Sequence, residues 1–186
     1  MTRPAPAIDL PDADAPVAQK IAGLMLAVPD FPNPGVVFQD ITPVLADPGA
    51  FRLLVDWLAA SAGPVDAVAG VEARGFMLGA PVAYALGVPF VPVRKAGKLP
   101  REVHELDYGL EYGTATLTIH VDAPYVGRKV LVVDDVLATG GTAGAACRLV
   151  ERGGGLVAGV AVLLEISALD GRRQLAGWPV HALLAV

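Results

Sequence analysis

The chain has 186 residues, with 14 Lys and Arg against 19 Asp and Glu for a formal net charge of −5. That length usually makes one domain, and 54% hydrophobic against 18% charged residues argues for a sizeable core and against intrinsic disorder. An acidic chain without a basic run lacks the footprint of a nucleic-acid binder, and a lone Cys147 with His104, His120 and His181 scattered provides neither an intrachain disulfide nor a zinc ligand set.

In chain order, residues 1–16 are rich in Ala, Pro and Asp and read as a loose tail. They carry acidic residues and prolines where a signal peptide needs a basic start and an apolar run, so the expected location is cytoplasmic. Val17, Ile21, Leu24, Met25 and Val28 recur at helical spacing and predict a helix over 17–28 that stops at Pro29. Residues 31–35 form a turn-rich connector. A helix over about 48–62 places Phe51, Leu54, Val55 and Leu58 on one face, with Trp57 beside it as packing or interface material.

The pattern then changes to short apolar strands alternating with helices: strand 66–71, helix 76–86, strand 90–93, strand 130–133, helix 142–152 and strand 157–164. Continuous apolar strands separated by helices predict an α/β fold with a mainly parallel sheet flanked by helices. Residues 75–93 carry no charge and are long enough to span a bilayer, but Pro81, Pro89 and Pro92 break them into a buried helix and a strand. Residues 114–121 alternate cleanly, with Ala115, Leu117, Ile119 and Val121 against Thr114, Thr116, Thr118 and His120. That spacing predicts a half-exposed antiparallel edge strand, with His120 solvated on its polar side. Residues 99–113 hold five charged groups around His104 and Tyr108 with little apolar period, and read as a lid between two strands.

The chemistry concentrates in 129–142. A buried strand ends in Asp134 and Asp135, and the small-residue loop Ala138-Thr139-Gly140-Gly141-Thr142 then opens a helix. Ligands of open α/β sheets bind at the carboxyl ends of strands. The glycines let backbone N–H groups converge in front of a helix N-terminus, which suits a phosphate, with the hydroxyls of Thr139 and Thr142 as further donors. Asp134 and Asp135 suit sugar hydroxyls or a hydrated magnesium ion. Sugar beside phosphate means a ribose 5-phosphate group. A glycine pair before a helix is often only a turn, but the two aspartates argue otherwise. No G-x-x-x-x-G-K-[ST] occurs, so a Walker A loop is excluded, and a receiver domain would need a lysine beyond Lys129 that the chain lacks.

The stretch 130–142 resembles the phosphoribosyl pyrophosphate signature of the type I phosphoribosyltransferases. Four further segments resemble the adenine branch of that family, in its order and spacing: residues 31–41, Glu72-Ala73-Arg74-Gly75-Phe76, residues 94–100 and Leu110-Glu111-Tyr112-Gly113. Ala96 departs from the usual proline or charged residue. The resemblance implies a single phosphoribosyltransferase domain over 17–186 with a small hood and a flexible lid loop. It implies transfer from 5-phosphoribosyl 1-pyrophosphate (PRPP) to adenine, giving AMP and pyrophosphate, with Mg²⁺ held mainly through PRPP near Asp134 and Asp135 and no firm protein ligand of its own. A homodimer is implied as well.

By the same resemblance, Glu72, Ala73, Arg74, Arg94, Lys95 and Lys98 hold pyrophosphate, the lysines in the same subunit or from a partner. Residues 138–142 hold the 5′-phosphate, and Glu111 handles the purine proton. The backbone of Val37 and Gln39 reads adenine, with Phe38 near the pocket and Leu137 against the ring. Arg74, Glu111, Asp134 and Asp135 are the catalytic candidates. Two other readings stay open at this point: an enzyme for hypoxanthine, guanine or xanthine, and a non-catalytic PRPP-binding regulator of transcription. The 31–41 and 110–113 segments argue against the first, and the net charge of −5 with no added DNA-binding module against the second.

Overall fold

The computed structural model describes residues 15–61, 63–110 and 113–186. A seven-stranded sheet carries the molecule, built from β3 (Ala67–Val71), β4 (Phe90–Lys95), β5 (Val103–Leu110), β6 (Gly113–His120), β7 (Lys129–Leu137), β8 (Leu156–Glu165) and β9 (Val180–Ala185), in the order β5-β6-β4-β3-β7-β8-β9. The pairs β4–β3, β3–β7, β7–β8 and β8–β9 are parallel, whereas β6 joins β4, and β5 joins β6, antiparallel. A separate hairpin of β1 (Leu26–Pro29) and β2 (Val37–Asp40) forms a small hood.

Both faces of the parallel core are covered, which is why its strands read as unbroken apolar runs. Along β7, Val130 and Val132 pack with Ala145, Ala146, Leu149 and Val150 of α5 (Gly141–Arg152). Leu131 and Val133 face the other way, toward α1 (Ala15–Ala22), α3 (Pro48–Ser61) and α4 (Arg74–Leu86). A short α2 (Thr42–Ala46) follows the hood, and 3-10 turns at Ser167–Leu169 and Gly171–Leu175 link β8 to β9. Trp57 is half-buried against the α3–α4 side, so it serves as packing. Among the described residues no helix is long and apolar enough to cross a membrane.

Four sequence expectations need correction. The helix over 17–28 ends at Ala22, and Leu26–Pro29 is a strand paired with Val37–Asp40. Its last apolar residues matched a helical period by coincidence, and the partner that makes them a strand lies a turn away in sequence. Residues 113–120 are not an edge strand, because β5 covers their outer side over the whole register from Val103 against His120 to Leu110 against Gly113. For the same reason most of the stretch read as a lid is strand: its charges are cross-strand partners on a polar face, as where Thr116 Oγ1 donates to Asp107 Oδ1 at 2.6 Å. The sequence reading also stopped the central strand at Val133, whereas β7 runs on through both aspartates to Leu137.

Candidate active site

A cleft of about 350 Å³ opens at the carboxyl ends of β3 and β7. Its floor is the Asp134–Asp135 pair, and on either side stands the start of a helix. On one side α4 begins directly after Glu72 and Ala73; on the other α5 begins after the 138–142 loop. Neither helix has a side-chain cap at its N-terminus: Ala73 offers no acceptor, and Gly140 is in the left-handed region at φ 81°. Helix starts lacking such caps leave N–H groups and positive dipole ends open to an anion. Two of them therefore bracket two carboxylates in one cleft.

The close approach of α4 to β7 rests on Gly75. A Cβ there would lie 2.6 Å from the carbonyl oxygen of Val133 and 3.1 Å from Asp134 Oδ1, so no side chain fits. With α4 pressed in, Arg74 reaches Asp135: Nε stands 2.9 Å from Oδ2. Asp135 is only 2% exposed, and its Oδ2 nonetheless accepts no hydrogen bond. Asp134 Oδ1 accepts the backbone N–H of Asp135 at 2.9 Å. Burial pushes both carboxyls above the ordinary range; for Asp134 the neighbouring charge of Asp135 adds to the rise, and for Asp135 the Arg74 guanidinium opposes it.

The pyrophosphate candidates divide. Arg74 and Lys95 line the cleft with Glu72 and Ala73. Arg94 is turned to Glu72, with Nε 3.2 Å from Oε2 and Nη2 3.3 Å from Oε1, while its Nη1 donates to the carbonyl of Lys98 at 2.9 Å. The backbone N–H of Lys95 donates to the same Glu72 carboxylate at 3.0 Å. These bonds, that from Arg94 first, hold the Glu72 carboxyl below its usual range. Glu72 and Arg94 thus shape the loop that presents Lys95. Among the described residues neither Lys95 nor the exposed Lys98 forms an ion pair with a carboxylate.

All five loop residues, Ala138 to Thr142, line the cleft. Thr142 Oγ1 lies 3.4 Å from the hydroxyl of Tyr108, which reaches over from β5. Leu137 is buried where β7 enters the cleft. Of the hood candidates, Phe38 comes nearest without lining the cleft: its ring centroid is 5.4 Å from the Arg74 guanidinium carbon, and Phe31 packs edge-on to it at 5.2 Å. Val37 and Gln39 sit in a strand whose sole strand neighbour among the described residues is β1, and their alternation puts their N–H and C=O groups on one shared edge. They do not line the cleft itself. Glu111 lies outside the described residues.

Sequence reasoning missed Ala115, Leu117, Val136 and Ala143 as cleft walls, and it placed Tyr108 only within a lid. A tyrosine amid charged residues on a strand was the one available signal; the apolar walls gave none. The half-buried Asp134 carboxylate, which lines the cleft, makes a fitting hard-oxygen neighbour for a hydrated magnesium ion or a sugar hydroxyl, with the Asp135 carboxylate buried behind it against Arg74. No cluster of three or more His, Cys, Asp or Glu among the described residues would cage a metal alone.

Comparison with known proteins agrees with this geometry. The family model described as "Phosphoribosyl transferase domain" matches residues 51–177. An adenine phosphoribosyltransferase of Salinispora arenicola is 56% identical over 177 residues, covering 94% of each chain. The crystal structure of adenine phosphoribosyltransferase from Thermoanaerobacter pseudethanolicus superposes with a TM-score of 0.88 at 48% identity, over 91% of this chain and 99% of that one. The Saccharomyces cerevisiae enzyme, complexed with an imino-altritol bisphosphate and adenine, gives 0.85 at 39% identity, over 91% and 99%.

Proposed function

The chain belongs to the type I phosphoribosyltransferases, in the adenine phosphoribosyltransferase branch, and we propose that its cleft transfers the phosphoribosyl group of PRPP to adenine, giving AMP and pyrophosphate in purine salvage. The observation that carries this reading is the bracket of two helix N-termini, without side-chain caps, around the half-buried Asp134 and the buried Asp135. A sugar with a phosphate at one end and a diphosphate at the other, with hydroxyls between, matches that order of groups.

In this reading Ala138 to Thr142 hold the 5′-phosphate, and Asp134 and Asp135 accept from the ribose hydroxyls. Arg74, Lys95, Lys98 and the first N–H groups of α4 meet the pyrophosphate, with Glu72 and Arg94 setting the loop. Magnesium fits beside Asp134 and Asp135, held mainly through PRPP, and when bound supplies positive charge to the pyrophosphate oxygens. N9 of adenine attacks the anomeric carbon while the bond from that carbon to the pyrophosphate oxygen breaks. The bonding pair leaves with pyrophosphate, and the N9 proton passes to Glu111. Most of the acceleration is orientation and stabilisation of the leaving charge. The hood supplies the base pocket: the common edge of Val37 and Gln39 offers donors and acceptors that tell a 6-amino from a 6-oxo purine. Phe38 flanks the pocket from the hood and Leu137 from β7. A homodimer and a cytoplasmic location complete the proposal; Tyr84, 89% exposed on α4, and Met77 on the same helix support a partner surface.

The test is pyrophosphate release from PRPP and magnesium with each purine base offered separately. Release with adenine at a rate far above hypoxanthine, guanine or xanthine is expected. Release only with a 6-oxopurine would discard the hood reading, and no release with any base would discard the transferase reading.

A further inference from the structure

The 138–142 loop does not hold its shape alone. Gly140 needs a left-handed backbone, and a Cβ on it would overlap the carbonyl oxygen of Gly171. The relation is reciprocal, since a Cβ on Gly171 would overlap the carbonyl oxygen of Ala138 and come within 3.1 Å of the Gly140 nitrogen. Two glycine backbones are thus stacked with no space between them. Farther along, the carbonyl of Gln174 lies 3.3 Å from where a Cβ of Gly144 would be, and Leu175 is buried with the α5 side of the core. The Gly171–Leu175 turn is therefore the rear wall of the loop and of the helix start behind it.

Arg172 fastens the near end of that wall. Arg172 Nε stands 2.9 Å from both carboxylate oxygens of Glu165 at the end of β8, and Nη2 stands 2.7 Å from Oε2. Its Nη1 donates to the carbonyl of Val180 in β9 at 3.0 Å. Glu165 is buried while the Arg172 side chain is 49% exposed, so the fork is held by its contacts to Glu165 and Val180 rather than by burial. A second tie, Trp178 Nε1 donating to Glu151 Oε1 at 2.8 Å, fastens the far end of the segment to α5.

We infer that the Arg172–Glu165 pair is a positioning device for the 5′-phosphate subsite, acting through Gly171 on the backbone of residues 138–140. Arg172 does not line the cleft. It fixes the turn against which the loop donors are aimed, and a misaimed anion site loses affinity for the phosphate alone. The inference rests on the assignment of this loop to the 5′-phosphate.

The experiment compares AMP with adenosine, which lacks the phosphate, as ligands of the purified full-length chain, by calorimetry or competition. For wild type, AMP is bound far more tightly than adenosine. In Arg172→Ala the AMP-to-adenosine affinity ratio falls by about ten-fold or more, the KM for PRPP rises by a similar factor, and adenosine affinity stays where it was. Arg172→Lys, which keeps the charge but not the fork, recovers part of the ratio. If Arg172→Ala does not fold, Arg172→Lys and Glu165→Gln carry the comparison, each with a smaller fall in the ratio. An unchanged ratio in folded variants, or equal losses for AMP and adenosine, would overturn the inference. Wild-type protein that binds AMP no better than adenosine would instead overturn the loop assignment beneath it.

Discussion

Nε of Arg74, at the first residue of α4, stands 2.9 Å from Oδ2 of Asp135, and that oxygen accepts no hydrogen bond although the side chain is almost wholly buried. The contact ties the start of α4 to the end of β7 across the cleft floor. The same guanidinium lies over the ring of Phe38 in the hood. One arginine thereby joins Asp135 on the cleft floor to Phe38 in the hood.

The carboxylate pair is predicted to be essential to turnover and dispensable to folding. Asp134→Asn with Asp135→Asn keeps size and shape but cannot carry charge to the ribose or to magnesium. Pyrophosphate release should fall by orders of magnitude, with an unchanged circular dichroism spectrum. A near-normal rate in that double variant would sink the ribose assignment.

The raised carboxyls also fix a sign for stability against pH. A carboxyl whose folded-state pKa lies above its unfolded value of about 3.9 binds its proton more tightly in the folded protein. The fold therefore loses stability as pH rises from the unfolded value through the folded one, and the loss then levels off. Asp134 is raised well above the ordinary range. The Tm of Asp134→Asn, measured without ligand from about pH 4 upward, should exceed that of wild type by a gap that widens with pH and then holds. A gap that narrows as pH rises would contradict the direction of the shift.

Arg74→Lys retains a positive charge beside Asp135 but loses the planar fork and its stacking on Phe38. Arg74→Gln loses the charge as well and leaves Asp135 with no cation. Removal of one donor aimed at developing charge costs roughly 10²–10³-fold in kcat, so Arg74→Gln should show that loss and Arg74→Lys an intermediate one. Steady-state kinetics with PRPP varied provide the check; wild-type kcat/KM in Arg74→Gln would remove Arg74 from the reaction.

Glu111→Gln tests the proton step by itself. General acid–base groups contribute about 10²–10⁴-fold, so kcat should fall within that span while the KM for adenine stays close to wild type. A variant that loses adenine affinity and keeps kcat would assign Glu111 to binding instead.

The glycine loop, the paired aspartates and the alternation of apolar strands with helices were legible in the chain because each is a local pattern with its own physical cause. Residues 138–142 line the cleft, as the order strand, carboxylates, glycines, helix required. Nonlocal pairing was not legible. Leu24, Met25 and Val28 satisfy a helical period, and only Val37–Asp40 turns Leu26–Pro29 into a strand. The polar stretch before Glu111 reads as a loop because its partner, β6, hides one edge of it from any count of local hydrophobicity.

By itself the sequence determined the chemistry on offer: a glycine loop before a helix, two adjacent carboxylates, and a set of cations near a second strand end. The tertiary structure decided which of these groups act together. It set Arg94 on Glu72 and left Lys95 on the cleft, carried Arg74 between Asp135 and Phe38, and braced Gly140 with Gly171 and its Arg172–Glu165 fastening. The reason is physical. Residue type fixes what a side chain can donate, accept or neutralise, whereas the partner it meets depends on how helices and strands distant in sequence pack, and a missing Cβ at Gly75 is what lets α4 come close enough for that meeting.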